Sequence, residues 1–134
     1  MTSEAGLIFE NLFAYEATRR GLNVARPDGN HLPYDFIVSG KSEKLFRVQV
    51  KGTKAQQHSG FTFITRRGKN KKKRVDYAKE IDVFVGIVET SGDRFFYIIP
   101  SKILDSQSCI RVFPTPESRA KFEKFRHAWT IFDK

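Results

Sequence analysis

Hydrophobic positions fall into two periods along this chain, and their alternation outlines the expected fold. Residues 3–20 carry broad apolar coverage at Leu7, Ile8, Phe9, Leu12, Phe13, Ala14 and Ala17, with Ser3 placed to cap the N-terminus, so a first helix is predicted. Gly21 stops it. Residues 22–26 read as a short strand ending in the turn formers Pro27, Asp28, Gly29 and Asn30. A second strand is predicted over 34–38. A third, over 45–52, alternates with period two, turning Phe46, Val48 and Val50 to one face and Arg47, Gln49 and Lys51 to the other. Strands follow at 61–65, 81–88 and 94–99, the last two joined by the hairpin turn Thr90-Ser91-Gly92-Asp93, and a further strand at 110–113. From Thr115-Pro116-Glu117 onward the pattern predicts a closing helix with Phe122, Phe125, Trp129 and Phe132 along one side, read as core or as subunit interface. No internal repeat or linker interrupts this order. One domain over residues 1–134 is expected, α/β (α+β), with helices flanking a mixed central sheet.

Composition changes this picture in one respect. Thirteen Phe and 40% apolar residues suffice for a packed core, but 24 Lys and Arg against 15 Asp and Glu leave a net charge of +9. That balance favours a polyanionic partner. The excess is concentrated: Arg66, Arg67, Lys69, Lys71, Lys72, Lys73 and Arg74 hold seven of the 24 basic residues, a candidate phosphate-contacting run, though such runs also serve simply as solvated loops. The N-terminus lacks a basic-then-apolar leader and no apolar run is long enough to span a bilayer, so a soluble, cytoplasmic, nucleoid-associated protein with no membrane partner is expected. Cys109 is the lone cysteine, which excludes an internal disulfide and a cysteine-cluster zinc site.

Candidate chemistry lies in Glu10 on the first helix, Asp35 on the second strand and Gln49-Val50-Lys51 on the third. Acidic oxygens hold a hard divalent cation, and a neighbouring ammonium helps to activate water or neutralise charge developing on a phosphate. Asp interrupts an otherwise apolar strand, which strands disfavour. Glu10 shares a helical face with Leu7 and Ala14 and is expected to point toward the sheet. Taken alone, Gln49 and Lys51 are equally what the solvated face of an amphipathic strand carries. His31, His58 and His127 have no metal-ligand spacing.

Together these residues resemble the PD-(D/E)XK nuclease superfamily, with its restriction-endonuclease-like fold. Gly6 to Glu10 looks like the first-helix Gly-x-x-x-Glu, Tyr34-Asp35 like the "PD" strand, and Gln49-Val50-Lys51 like the (D/E)-x-K strand. Tyr34 stands where the family name has proline, with Pro33 one residue earlier, and Gln49 stands in place of the acid. Group I intron homing endonucleases and archaeal Holliday-junction resolvases are similar in length and element order, and Tyr97-Ile98-Ile99-Pro100 looks like a segment of the homing group. The resemblance implies a DNA endonuclease using Mg²⁺ (or Mn²⁺). Asp35, Glu10, the Val50 carbonyl and Gln49 would form the metal shell, and Lys51 would position or activate water. By the same analogy a homodimer or larger homo-oligomer is expected. A junction resolvase, or a DNA-binding module of this fold without chemistry, are the alternatives.

Overall fold

The computed structural model describes residues 3–29, 31–57, 60–65, 77–104 and 109–134. Helix α1 (Glu4–Arg19) opens as its sequence requires, with Ser3 Oγ accepting the Gly6 N–H at 3.0 Å, and it ends at Gly21, whose φ of 86° suits glycine. Five strands build the main sheet: β1 (Asn23–Ala25), β2 (Phe36–Ser39), β3 (Phe46–Thr53), β6 (Val83–Glu89) and β7 (Arg94–Pro100), in the order β1-β2-β3-β6-β7. Only β3 and β6 run parallel. Strands β4 (Gln56–Gln57), β5 (Gly60–Ile64) and β8 (Cys109–Val112) form a second, antiparallel sheet, and α2 (Tyr77–Glu80) is a single turn.

The two sheets and α1 make three layers with two cores. One face of the main sheet buries Val48, Val50, Val85, Ile87 and Ile98 against Phe9, Phe13 and Ala17 of α1 and against Trp129 and Phe132. The opposite face buries Phe84, Tyr97 and Ile99 against Phe61 and Phe63 of β5 and Ile110 and Val112 of β8. Strand β6 is therefore covered on both sides, which is why it reads as a continuous apolar run rather than an alternating one. The helix presents a narrower buried stripe than its composition suggests. Phe9, Phe13 and Ala17 face the sheet, while Leu7 and Ile8 are 47% and 49% exposed.

Two expectations need correction. The closing helix does not form. Residues 115–134 instead contain short 3₁₀ turns at Glu123–Phe125 and Trp129–Asp133. His127 sits between them at φ 57° and donates its N–H to the Phe96 carbonyl at 2.6 Å, while Arg126 bridges Tyr97. The backbone thus satisfies the open edge of β7 in place of its own helical bonds. Its aromatic stripe is nevertheless core, since Phe122, Phe125, Trp129 and Phe132 are all buried. Secondly, Gln49 does not stand on a solvated stretch of β3: it is 8% exposed, beside Phe84, which the second sheet covers, while Lys51 on the same face is exposed.

Contact between α1 and β3 depends on Gly52, where an added Cβ would run into the Phe9 ring. Gly52→Ala is expected to push α1 outward and to cost about 1–3 kcal/mol of stability, as overpacking does. Urea unfolding followed by circular dichroism measures it.

Candidate active site

Asp35 occupies the place where β2 leaves the sheet. Its own N–H donates to the Val48 carbonyl at 2.8 Å, and its carboxylate then turns back so that Oδ2 accepts the Val50 N–H at 2.8 Å. The side chain thereby takes the position that the next rung of the ladder would fill. Because a residue's N–H and C=O point to the same edge of a strand, the Val50 carbonyl also faces the edge that Asp35 occupies. Pro33, which has no N–H to offer the ladder, lies just upstream.

Around this point opens a cleft of about 660 Å³, lined by Glu10 and Phe9 of α1, by His31, Pro33 and Asp35 of the segment before β2, and by Gln49, Val50, Lys51 and Gly52 of β3. The structure therefore brings Glu10, Asp35, Gln49 and Lys51 together. It separates Arg47 from them, although Arg47 shares their strand face: Arg47 forks onto Asp82 with both side-chain bonds at 3.1 Å, and its N–H donates to Asp82 at 2.7 Å. The basic run 66–74 and His58 lie outside the described residues.

The electrostatics suit a cation. Burial raises the Asp35 carboxyl above its ordinary range, against the opposing influences of the Val50 N–H, Lys51 and Arg26. Burial also raises Glu10, reinforced by the negative charge of Asp35 and opposed by Arg26. Two partly desolvated carboxylates thus face one another, a costly arrangement that a divalent ion would relieve. Gln49 Oε1 is buried with no hydrogen-bond partner, so an acceptor oxygen is held ready beside them. Among the described residues no three acidic, His or Cys side chains gather. The donor set is two carboxylates, one amide oxygen and one main-chain carbonyl, all hard oxygen ligands, and it fits Mg²⁺ or Mn²⁺.

Sequence reasoning missed Arg26. Its guanidinium lies 3.6 Å from Glu10, donates to Asn11 Oδ1 at 2.7 Å and covers the Phe36 ring at 4.7 Å. The ion pair does not offset the desolvation of Glu10, whose carboxyl stays raised. A signal was available: once β1 is paired antiparallel with β2, Ala25 faces Ile37, and the next residue, Arg26, falls opposite Phe36, the neighbour of Asp35.

The sequence model of the PD-(D/E)XK endonuclease family matches residues 2–132. Among solved structures the chain is similar to the bacterial homing endonuclease I-Ssp6803I, with TM-score 0.77 and 26% identity over 96% of this chain and 90% of that one. It is also similar to MepB, with TM-score 0.46 and 14% identity over 98% of this chain and 95% of that one. No curated protein matches it significantly.

Raised carboxyls mean that the folded chain binds protons more tightly than the unfolded one. Stability contributed here therefore falls as pH rises from the ordinary carboxyl value of about 4 through the raised values. Asp35→Asn cannot ionise and keeps an acceptor for Val50, so without metal it should melt higher than the wild type at neutral pH. The difference should vanish as pH falls to about 4. Thermal unfolding in chelator across this range is the measurement, and a wild type that melts at or above Asp35→Asn at neutral pH contradicts the expectation.

Proposed function

Because the chain belongs to the PD-(D/E)XK endonuclease family, we propose that it is a divalent-metal-dependent DNA endonuclease of the homing type, with Glu10, Asp35, Gln49 and Lys51 as its site. The observation that carries this reading is the pair of desolvated carboxylates beside the unpartnered Gln49 Oε1 in one cleft. Neither comparison favours the junction-resolving alternative.

Glu10, Asp35, the Val50 carbonyl and Gln49 would hold the ion. A bound Mg²⁺ or Mn²⁺ supplies charge neutralisation at the phosphate and lowers the pKa of water. Asp35 has its orientation set in advance by Val50, so little reorganisation is needed on binding. Lys51, exposed at the rim, presents an ammonium to the phosphate and to the attacking water. Arg26 restrains Glu10 and limits the negative charge of the site before a cation arrives. Residues Arg66, Arg67, Lys69, Lys71, Lys72, Lys73 and Arg74 would contact backbone phosphates.

Cutting both strands takes two sites, so a homodimer or larger homo-oligomer is part of the proposal. The exposed apolar side chains Leu7, Ile8 and Tyr15 on α1 support it. Among the described residues no helix is long and apolar enough to cross a membrane.

Asp35→Asn and Lys51→Ala should each abolish metal-dependent nicking of plasmid DNA while leaving duplex affinity nearly unchanged, because they act on the transition state rather than on backbone contacts. Cleavage retained by purified Asp35→Asn would overturn the site. Running a synthetic four-way junction beside linear duplex in the same assay separates the homing reading from junction resolution. A second outcome concerns the substituted acid: Gln49→Glu should bind Ca²⁺ more tightly by titration calorimetry, since it adds charge where a neutral oxygen now stands. Equal affinities would place Gln49 outside the metal shell.

A further inference from the structure

Strands β2 and β3 run antiparallel, so the chain before β2 and the chain after Val50 leave the sheet at the same end. Their pairing stops at Phe36 and Val48, and Asp35 is fastened to Val50 one step beyond. Past that point the two arms part and the cleft opens between them, with His31 and Pro33 on one arm, Lys51 and Gly52 on the other, and α1 alongside. Asp35 stands at the fork. His31 and Lys51 therefore line the cleft from its two different arms.

His31 has no part in the proposed metal shell. It is exposed, and among the described residues it makes no hydrogen bond or ion pair. Its place is nevertheless constrained. Gly29 adopts a φ of 90°, and a Cβ there would stand 3.1 Å from Cε1 and Nδ1 of the His31 ring, so the backbone leaves room for that ring where any other residue would be strained and would crowd it. The charged groups that share the cleft with it are Glu10 of α1, Asp35 and Lys51. In the proposed site both carboxylates are taken up by the ion, and an ammonium parts with its proton far less readily than an imidazolium does. That leaves His31 as the side chain in the cleft suited to hold and release a proton near neutrality.

Phosphodiester hydrolysis needs groups on two sides of phosphorus, because water attacks from one side and the sugar oxygen departs from the other, roughly in line. The departing alkoxide is strongly basic and requires a proton. With Lys51 presenting its ammonium to the water from one arm of the fork, the departing oxygen lies toward the other arm, where His31 stands. We propose that His31 is a catalytic residue of the hydrolysis, the general acid that protonates the departing sugar oxygen. As the water oxygen bonds to phosphorus, the bond from phosphorus to the sugar oxygen breaks. Its electron pair stays on that oxygen, which receives the imidazolium proton. The attacking water loses a proton to solvent, and solvent reprotonates His31. The proposal rests on the endonuclease reading and adds to it a residue for the leaving-group half of the reaction.

His31→Ala and His31→Gln should each slow metal-dependent nicking of plasmid DNA about 10²- to 10⁴-fold, the usual contribution of general acid catalysis. Thermal unfolding, duplex affinity and Ca²⁺ affinity should stay close to wild type, since an exposed side chain outside the metal shell is changed. The separating substrate is a synthetic duplex spanning the site that wild type nicks, with sulfur in place of the departing oxygen, which the ends of the nicked strand identify. A thiolate leaves without a proton, because thiols ionise far more readily than alcohols. On this duplex both His31 variants should come within several-fold of wild type, whereas Asp35→Asn stays inactive. A His31→Ala protein that nicks plasmid at the wild-type rate overturns the proposal. Nicking restored by glutamine overturns it too, by assigning His31 to phosphate binding, and so does a deficit that persists on the sulfur duplex. In each of these cases wild type still nicks, so the endonuclease reading survives and only the role of His31 is lost. A wild type that does not cut DNA overturns both.

Discussion

The bond from the Val50 N–H to the Asp35 carboxylate, 2.8 Å long, is the point at which sheet construction stops and the site begins. A main-chain N–H facing a strand edge must find an acceptor. Strand β2 supplies partners to β3 only as far as Phe36, and the chain before it departs through Pro33. The carboxylate fills the next position. One interaction thereby satisfies the edge of β3, fixes an acid in a half-buried place, and leaves an opening where the sheet would otherwise continue. Glu10 reaches this opening because α1 lies close on β3, which Gly52 permits by having no side chain to meet Phe9.

Such a site costs stability. Two carboxylates raised by burial, with an amide oxygen lacking any partner, are what a fold selected for stability alone would remove. The surrounding layers tolerate it. Core packing covers both faces of β6, and the Arg47–Asp82 fork ties β3 to the start of β6 through side chain and main chain alike. Arg26 supplies a partial counter-charge that leaves room for a cation, since its distance to Glu10 is 3.6 Å rather than that of a short bidentate pair.

The C-terminal segment closes the opposite end by a different device. Tyr97 donates its hydroxyl proton to Glu123 at 2.7 Å, and the other Glu123 oxygen accepts the Phe113 N–H at 3.0 Å. A single buried carboxylate therefore links β7, the end of β8 and the last turns. Burial, followed by the Glu123 carboxylate, raises the Tyr97 phenol far above its usual value, so it stays a donor throughout the accessible pH range. This explains how the Tyr97-Ile98-Ile99-Pro100 segment is anchored in a fold that lacks a closing helix.

What the sequence by itself determined is local and periodic. Ser3 and Gly21 bounded α1, alternation marked β3, and the order of Glu10, Asp35, Gln49 and Lys51 along helix and strands was enough to identify the family and to single out residues that line one cleft. The cap, the stop and the alternation need only residues near one another in the chain. What required tertiary structure was everything set by a second layer. Period two set Gln49 on the face of β3 opposite Val48 and Val50, but only the tertiary structure shows that Gln49 is buried there and that its oxygen has no partner. Arg26 came to the site through the antiparallel match of β1 with β2, a register that periodicity within either strand does not set. The late aromatic stripe had helical spacing, yet the unpaired edge of β7 offered its backbone better partners than its own next turn did. Periodicity specifies which residues share a face; what lies opposite that face is decided by parts of the chain distant in sequence.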